Sequence, residues 1–467
     1  MISDSSPWLT RFAALTDEEI ERRTRFSPPA VTGMDSLNPG VATRHLSNTL
    51  SQIFEPTPAS LHIHRRMVDA AEQFAREAFP SREMFRRRLY NFEGYQSEMS
   101  PWNPVCVTGL SGGGKTSLFV AAARILQDET VDAGAGHTLP LIGLSYLAIE
   151  DERSELDVLQ STWRALSRKR PDVGASPYER ARLQTDDVFA KKKLKDARKN
   201  TALMAYRSGC CGVIVDEMQF MTQGSTANTL VTKTLLELSY LRFPFFFAAN
   251  FNLVAKLRSR PPQDRDRLLS DPIVVLPDTL VFEAAANAWK AYLRVCVRVS
   301  GNVIALDMEK DAEPLLSYTF GLRRKFIFMI KQAYGRAREA GKFTIQMRDV
   351  EEAYKSTAYF THRKDVESLK ALEVTGKSES KEFVCPFEVD STEMMTRQKR
   401  AMEESDRVVA EQMVVDSLSP AEKLLYHQAG GPRPDSGEKA KTSGRVRTAV
   451  SGSSLIAGSN QFHGRRK

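Results

Sequence analysis

The chain has 467 residues, 42% hydrophobic and 27% charged, which is enough for two or three domains with their own cores. No apolar run is long enough to span a bilayer, residues 1–6 lack the basic-then-apolar order of a signal peptide, and the five cysteines have neither metal nor disulfide spacing, so a reducing, cytoplasmic setting without membrane contact is expected. The net charge of +8 suggests a polyanionic partner, but residues 431–467 hold eight basic against two acidic residues, so a nucleic-acid surface on the folded part must be a local stripe.

In chain order, residues 1–44 mix Ser, Pro and Gly and read as a loosely structured arm with one short helix near 16–24. The prolines of Phe54-Glu55-Pro56-Thr57-Pro58 break the chain, and a basic amphipathic region follows to about 95 as two helices parted at 79–81. Arg86, Arg87 and Arg88 point different ways around a helix, which suits solubilising charge as well as a phosphate contact.

Residues 105–108 read as a short buried strand, and 117–126 as a helix with one apolar face. Between them stands G-x-x-x-x-G-K-T, from Gly109 through Ser111, Gly112, Gly113 and Gly114 to Lys115 and Thr116, with Ser117 next. Glycines let backbone N–H groups turn inward around phosphate oxygens, and the helix N-terminus adds partial positive charge. Lys115 would reach the outer phosphates of ATP and the Thr116 hydroxyl would ligate Mg2+. Residues 139–149 read as another core strand, and 151–208 as helix and polar connection. That stretch carries Lys191, Lys192, Lys193 and Arg198, candidates for DNA contact or a solvated face.

The β-branched run Gly212–Asp216 reads as a buried parallel strand ending in two acids. Asp216 would hold Mg2+ through water, and Glu217 would deprotonate the attacking water. After an amphipathic helix at 225–242, the strand 243–250 ends in Asn250, placed where a sensor could meet the γ-phosphate. Arg258, Arg260 and Arg265 then cluster before a strand at 273–277. One of them could enter a neighbouring subunit's site, though the sequence does not say which. Residues 281–358 read as a helical domain, and an arginine of Gly321-Leu322-Arg323-Arg324 could fold back onto the nucleotide. Residues 392–428 could form amphipathic helices, and 429–467 have too little to bury and read as disordered.

The order of phosphate loop, Asp-Glu strand, Asn-ended strand, arginine cluster and G-x-R-R helical domain resembles the AAA+ ATPases over roughly residues 50–358. Phe54–Pro58, Gly109–Thr116, Val215-Asp216-Glu217-Met218-Gln219, Pro244–Asn250, Lys256–Arg258 and Arg265–Pro272 further resemble the TnsC/TniB transposition regulators, and the length and basic tail suit the TnsC type. That resemblance implies an α/β core with a parallel sheet flanked by helices, a small helical lid and a flexible basic tail. It divides the chain into an arm (1–44), the ATPase core (45–278), the lid (279–360) and a partner-binding extension (361–467). It also implies ATP-dependent assembly of rings or helical filaments on double-stranded DNA, linking a target-selection protein to transposase subunits, with hydrolysis driving disassembly. By position, Pro56 would lie near the adenine, Asn250 would be the first sensor, and Arg323 or Arg324 the second. The alternatives are another AAA+ DNA-associated ATPase, of origin-binding or clamp-loader kind, or a signalling or remodelling ATPase that ignores DNA.

Overall fold

The computed structural model describes residues 6, 8–126, 129–132, 138–150, 152–168, 193–218, 221, 227–279, 281–378, 380–387, 391–419 and 422–423. Five strands form a parallel sheet in the order β4-β5-β6-β1-β7: β4 Leu144–Ala148, β5 Gly212–Asp216, β6 Phe245–Asn250, β1 Val105–Gly109 and β7 Ile273–Val275. A separate antiparallel pair joins β2 Glu129–Asp132 to β3 Thr138–Leu141. Helices cover the sheet, so its middle strands are near-continuous apolar runs; all five residues of β5 are buried. The fold is therefore α/β, and because the strands are parallel their carboxyl ends open along one edge. The expected strand over 139–149 is instead two, broken at Ile142-Gly143. A Cβ at Gly143 would sit 2.1 Å from the Leu126 Cβ, so this close crossing needs glycine.

The chain divides into two compact units, residues 1–404 and 405–467. Within the first, the α/β core is one apolar cluster and the helices from Glu283–Val299 to Met347–Lys355 form another around Trp289, Tyr292, Phe326 and Tyr334. The second unit's described part is helical, from the end of Ser391–Ser417. Among the described residues, no helix is long and apolar enough to cross a membrane.

Three expected boundaries move. Residues 6–44 are not a loose arm: Trp8, Phe12, Leu15 and Ile20 are buried in the α/β core, and Trp8 packs against Phe85 with ring centroids 4.7 Å apart. These anchors follow no helical or strand period, which hides them in the sequence. Val31, Met34, Leu46 and Leu50, from the expected arm and the start of the expected core, are buried with the helical domain instead. Nor does that domain end at 360: the helix Phe360–Thr375 buries Val366 and Leu369, and Asp365 accepts a 2.7 Å bond from buried Lys325. Leu369 joins Leu110, Phe251 and Leu322 in a small cluster just behind the phosphate loop. The tail expected to be disordered after 429 lies outside the described residues.

Candidate nucleotide site

A cavity of about 470 Å³ opens at the carboxyl edge of the sheet, between the α/β core and the helical domain. That volume lies within the range of small-molecule sites, about 300–1,000 Å³.

The β1 strand feeds residues 110–114 into the helix Lys115–Ile125, which buries Leu118, Phe119, Ala121, Ala122 and Ile125 and so points its first turn into the cavity. Gly112 and Gly114 take φ of 81° and 91°, the left-handed region that favours glycine. A Cβ at Gly112 would also lie 3.1 Å from the Arg324 Cβ. Ser111, Gly112, Gly113, Gly114, Lys115, Thr116 and Ser117 all line the cavity. Gly109 does not. Its carbonyl accepts from Lys115 Nζ at 2.9 Å, and it is glycine because a Cβ would meet the Val275 carbonyl oxygen at 2.5 Å. Lys115 Nζ also donates to the Leu110 carbonyl at 3.0 Å. Burial pushes its ammonium down to about 8, with Asp216 pulling the other way.

The strand β5 delivers Asp216 and Glu217 to the same edge. Asp216 is 2% exposed; its Oδ1 accepts from the Glu217 N–H at 2.8 Å and its Oδ2 from the Tyr146 hydroxyl at 3.3 Å. Glu217 holds a left-handed φ of 60°, a costly conformation for a non-glycine residue and one that turns it into the cavity. Burial and then the Asp216 charge raise the Glu217 carboxyl above its ordinary range; Arg324 and Lys115 oppose them, as does a hydrogen bond from Thr116. Asp216 and Thr116 both line the cavity and offer hard oxygen donors, the chemistry Mg2+ requires. Among the described residues no cluster of three His, Cys, Asp or Glu could hold a metal.

Asn250 ends β6 and lines the cavity. Its Oδ1 caps the helix Phe251–Arg258 by accepting from the Leu253 N–H at 2.8 Å, which leaves the amide Nδ2 as a donor. From the helical domain come Arg323 and Arg324, and their surroundings separate them. Arg323 is held by Asp278 at 2.9 Å, the Glu55 carbonyl at 3.3 Å and the Tyr292 ring at 4.6 Å. Arg324 lies along Gly112 of the loop. The far wall is Ile53, Phe54, Glu55 and Thr57; Pro56 itself is not among the lining residues, because the chain turns there to start the helix Pro58–Ala78.

Arg258, Arg260 and Arg265 do not line this cavity. Arg258 sits 5.8 Å from the Phe387 ring, Arg260 pairs with Asp264 at 3.6 Å, and Arg265 with Asp266 at 2.8 Å. Of the DNA candidates, Lys191 and Lys192 lie outside the described residues, and Lys193 is exposed at the start of the helix Leu194–Arg207. Arg198 pairs with Glu237 at 3.2 Å and stacks over Tyr240. Arg88 bonds the Glu77 and Ala78 carbonyls. Asp278 and Tyr292, which line the cavity, and Tyr146, which reaches it only through Asp216, had no motif to announce them; the tertiary fold alone places them.

No family model matches this chain, and no curated protein matches it. Among solved structures it is similar to the Aeropyrum pernix ORC2 protein in its ADPNP-ADP complexes (15% identity, TM-score 0.38, covering 66% of this chain and 72% of that one). It is also similar to the Aeropyrum pernix ORC1 protein in complex with DNA (16%, TM-score 0.33, 68% and 76%). A third is the Thermotoga maritima RuvB Holliday junction branch migration motor (12%, TM-score 0.31, 65% and 72%). Superpositions this loose carry no argument about the site, which stands on its own residues.

Proposed function

We propose that this chain is an AAA+-type ATPase that binds ATP with Mg2+ between its α/β core and helical domain, and acts as a DNA-associated assembly switch of the TnsC type. The observation that supports the nucleotide reading is convergence: residues from four separate segments, Lys115 and Thr116, Asp216 and Glu217, Asn250, and Arg324, line one cavity with Glu55 and Thr57. The transposition reading rests on the sequence motifs, and target-selection and transposase partners come with it.

In this reading the loop N–H groups and Lys115 hold the phosphates, and Lys115 exchanges two carbonyl partners for phosphate oxygens. Thr116 and Asp216 would hold Mg2+, which when bound would offset charge on the phosphate oxygens. Glu217, its carboxyl already raised, takes the proton of the attacking water. The Asn250 amide orients that water or the terminal phosphate, and Arg324 offsets charge developing there. Arg323 is the hinge anchor rather than a phosphate ligand. Arg258, Arg260 and Arg265 are available to a neighbouring subunit.

Electron microscopy of the protein with duplex DNA, comparing a non-hydrolysable ATP analogue with ADP, tests the assembly reading. Rings or filaments on DNA with the analogue alone support it. Unassembled protein in both states, with no DNA engaged, favours a signalling or remodelling ATPase.

A further inference from the structure

We infer that Tyr146 is a positioning residue for the metal-holding carboxylate of Asp216; this rests on the nucleotide reading above. Tyr146 lies on β4, the edge strand beside β5, in register with Ile214. In a parallel pair, side chains two residues apart share a face, so the phenol leans toward the carboxyl end and meets Asp216. Its hydroxyl donates to Asp216 Oδ2 at 3.3 Å while the Glu217 N–H donates to Oδ1 at 2.8 Å. Both oxygens are thereby pinned, one by a side chain and one by backbone, and each keeps a lone pair for a metal or its water. Among the described residues Asp216 forms no direct ion pair to fix its rotamer, and at 2% exposure bulk solvent cannot do so. Partners that orient metal-holding groups typically change metal affinity about 10–100-fold. A neutral phenol at 3.3 Å belongs at the weak end.

The test is binding of a fluorescent ATP analogue to the full chain at zero and at saturating Mg2+, for wild type, Tyr146→Phe, Asp216→Asn and the double variant. The inference expects Tyr146→Phe to bind the metal-free analogue as wild type does while its gain in affinity from Mg2+ shrinks by about fivefold or more. It also expects Tyr146→Phe to add nothing once Asp216 is Asn. An unchanged Mg2+ gain in Tyr146→Phe overturns the inference, as does weaker binding of the metal-free analogue, which would mark a general structural role. Absent wild-type binding would overturn the nucleotide reading itself, and wild-type binding independent of Mg2+ would overturn its metal site; either overturns this inference too.

Discussion

One contact that holds the helical domain against the core is the Arg323–Asp278 pair, and its strength can be worked from its surroundings. The two side chains are 18% and 15% exposed, 2.9 Å apart, and Arg323 also spans the Glu55 carbonyl and the Tyr292 ring. An exposed pair is worth about 0–1 kcal/mol, whereas removing one partner of a buried pair costs about 3–5 kcal/mol because a charge is stranded. Residual exposure places this pair at the lower end, so Arg323→Ala should cost about 3 kcal/mol and Asp278→Ala about 2–3 kcal/mol. Removing both charges strands neither, so the double variant should cost about 3–4 kcal/mol, a coupling of about 2 kcal/mol. Arg324→Ala, which strips a side chain lying over Gly112, should change stability by less than about 0.5 kcal/mol yet weaken ATP binding. Urea unfolding of the nucleotide-free protein reads the first three, and analogue binding the last. Additive losses to within about 0.5 kcal/mol would refute the pairing argument. So would an Arg324→Ala variant that is the less stable of the two.

Three further outcomes follow from the site. Because burial pushes the Lys115 ammonium down to about 8 and phosphates favour its charged form, ATP-analogue affinity should be flat below about pH 8 and fall above it, by up to about tenfold per unit. The same depressed value means nucleotide-free stability from this group rises between about pH 8 and the ordinary lysine range; a Lys115→Arg variant should show neither trend. Glu217→Gln should bind the analogue within about threefold of wild type but lose about 10²–10⁴ in turnover, and normal turnover would remove Glu217 as the base. Gly321→Ala should cost well over about 2 kcal/mol, because its φ is 64° and a Cβ would lie 2.1 Å from the Asp278 carbonyl oxygen. Gly341→Ala, with φ of 76° and nothing within 4 Å, should cost only about 1 kcal/mol, so equal costs would contradict the close-approach argument.

The parallel sheet and the convergence of Lys115, Asp216 and Asn250 at its edge were legible because they depend on local patterns. A β-branched run ending in Asp216-Glu217, and glycines spaced before Lys115-Thr116, report strand and loop without knowledge of the rest of the chain. What escaped was set by distant contacts. Trp8 and Phe12 enter the core without periodicity, and Leu46 and Leu50 join the helical domain although they precede the sheet. Nothing local announces that Arg198 pairs with Glu237, or that Arg88 bonds two helix-terminal carbonyls. Adjacent Arg323 and Arg324 were indistinguishable in sequence. Asp278, 45 positions earlier, separates them.

The central claim is tested most directly by phosphate release from ATP by the full chain, with and without Mg2+ and duplex DNA, beside Lys115→Ala. The account predicts Mg2+-dependent turnover that responds to DNA and disappears in Lys115→Ala. Turnover that persists unchanged in Lys115→Ala, or its absence from the wild-type chain under every condition, would contradict it.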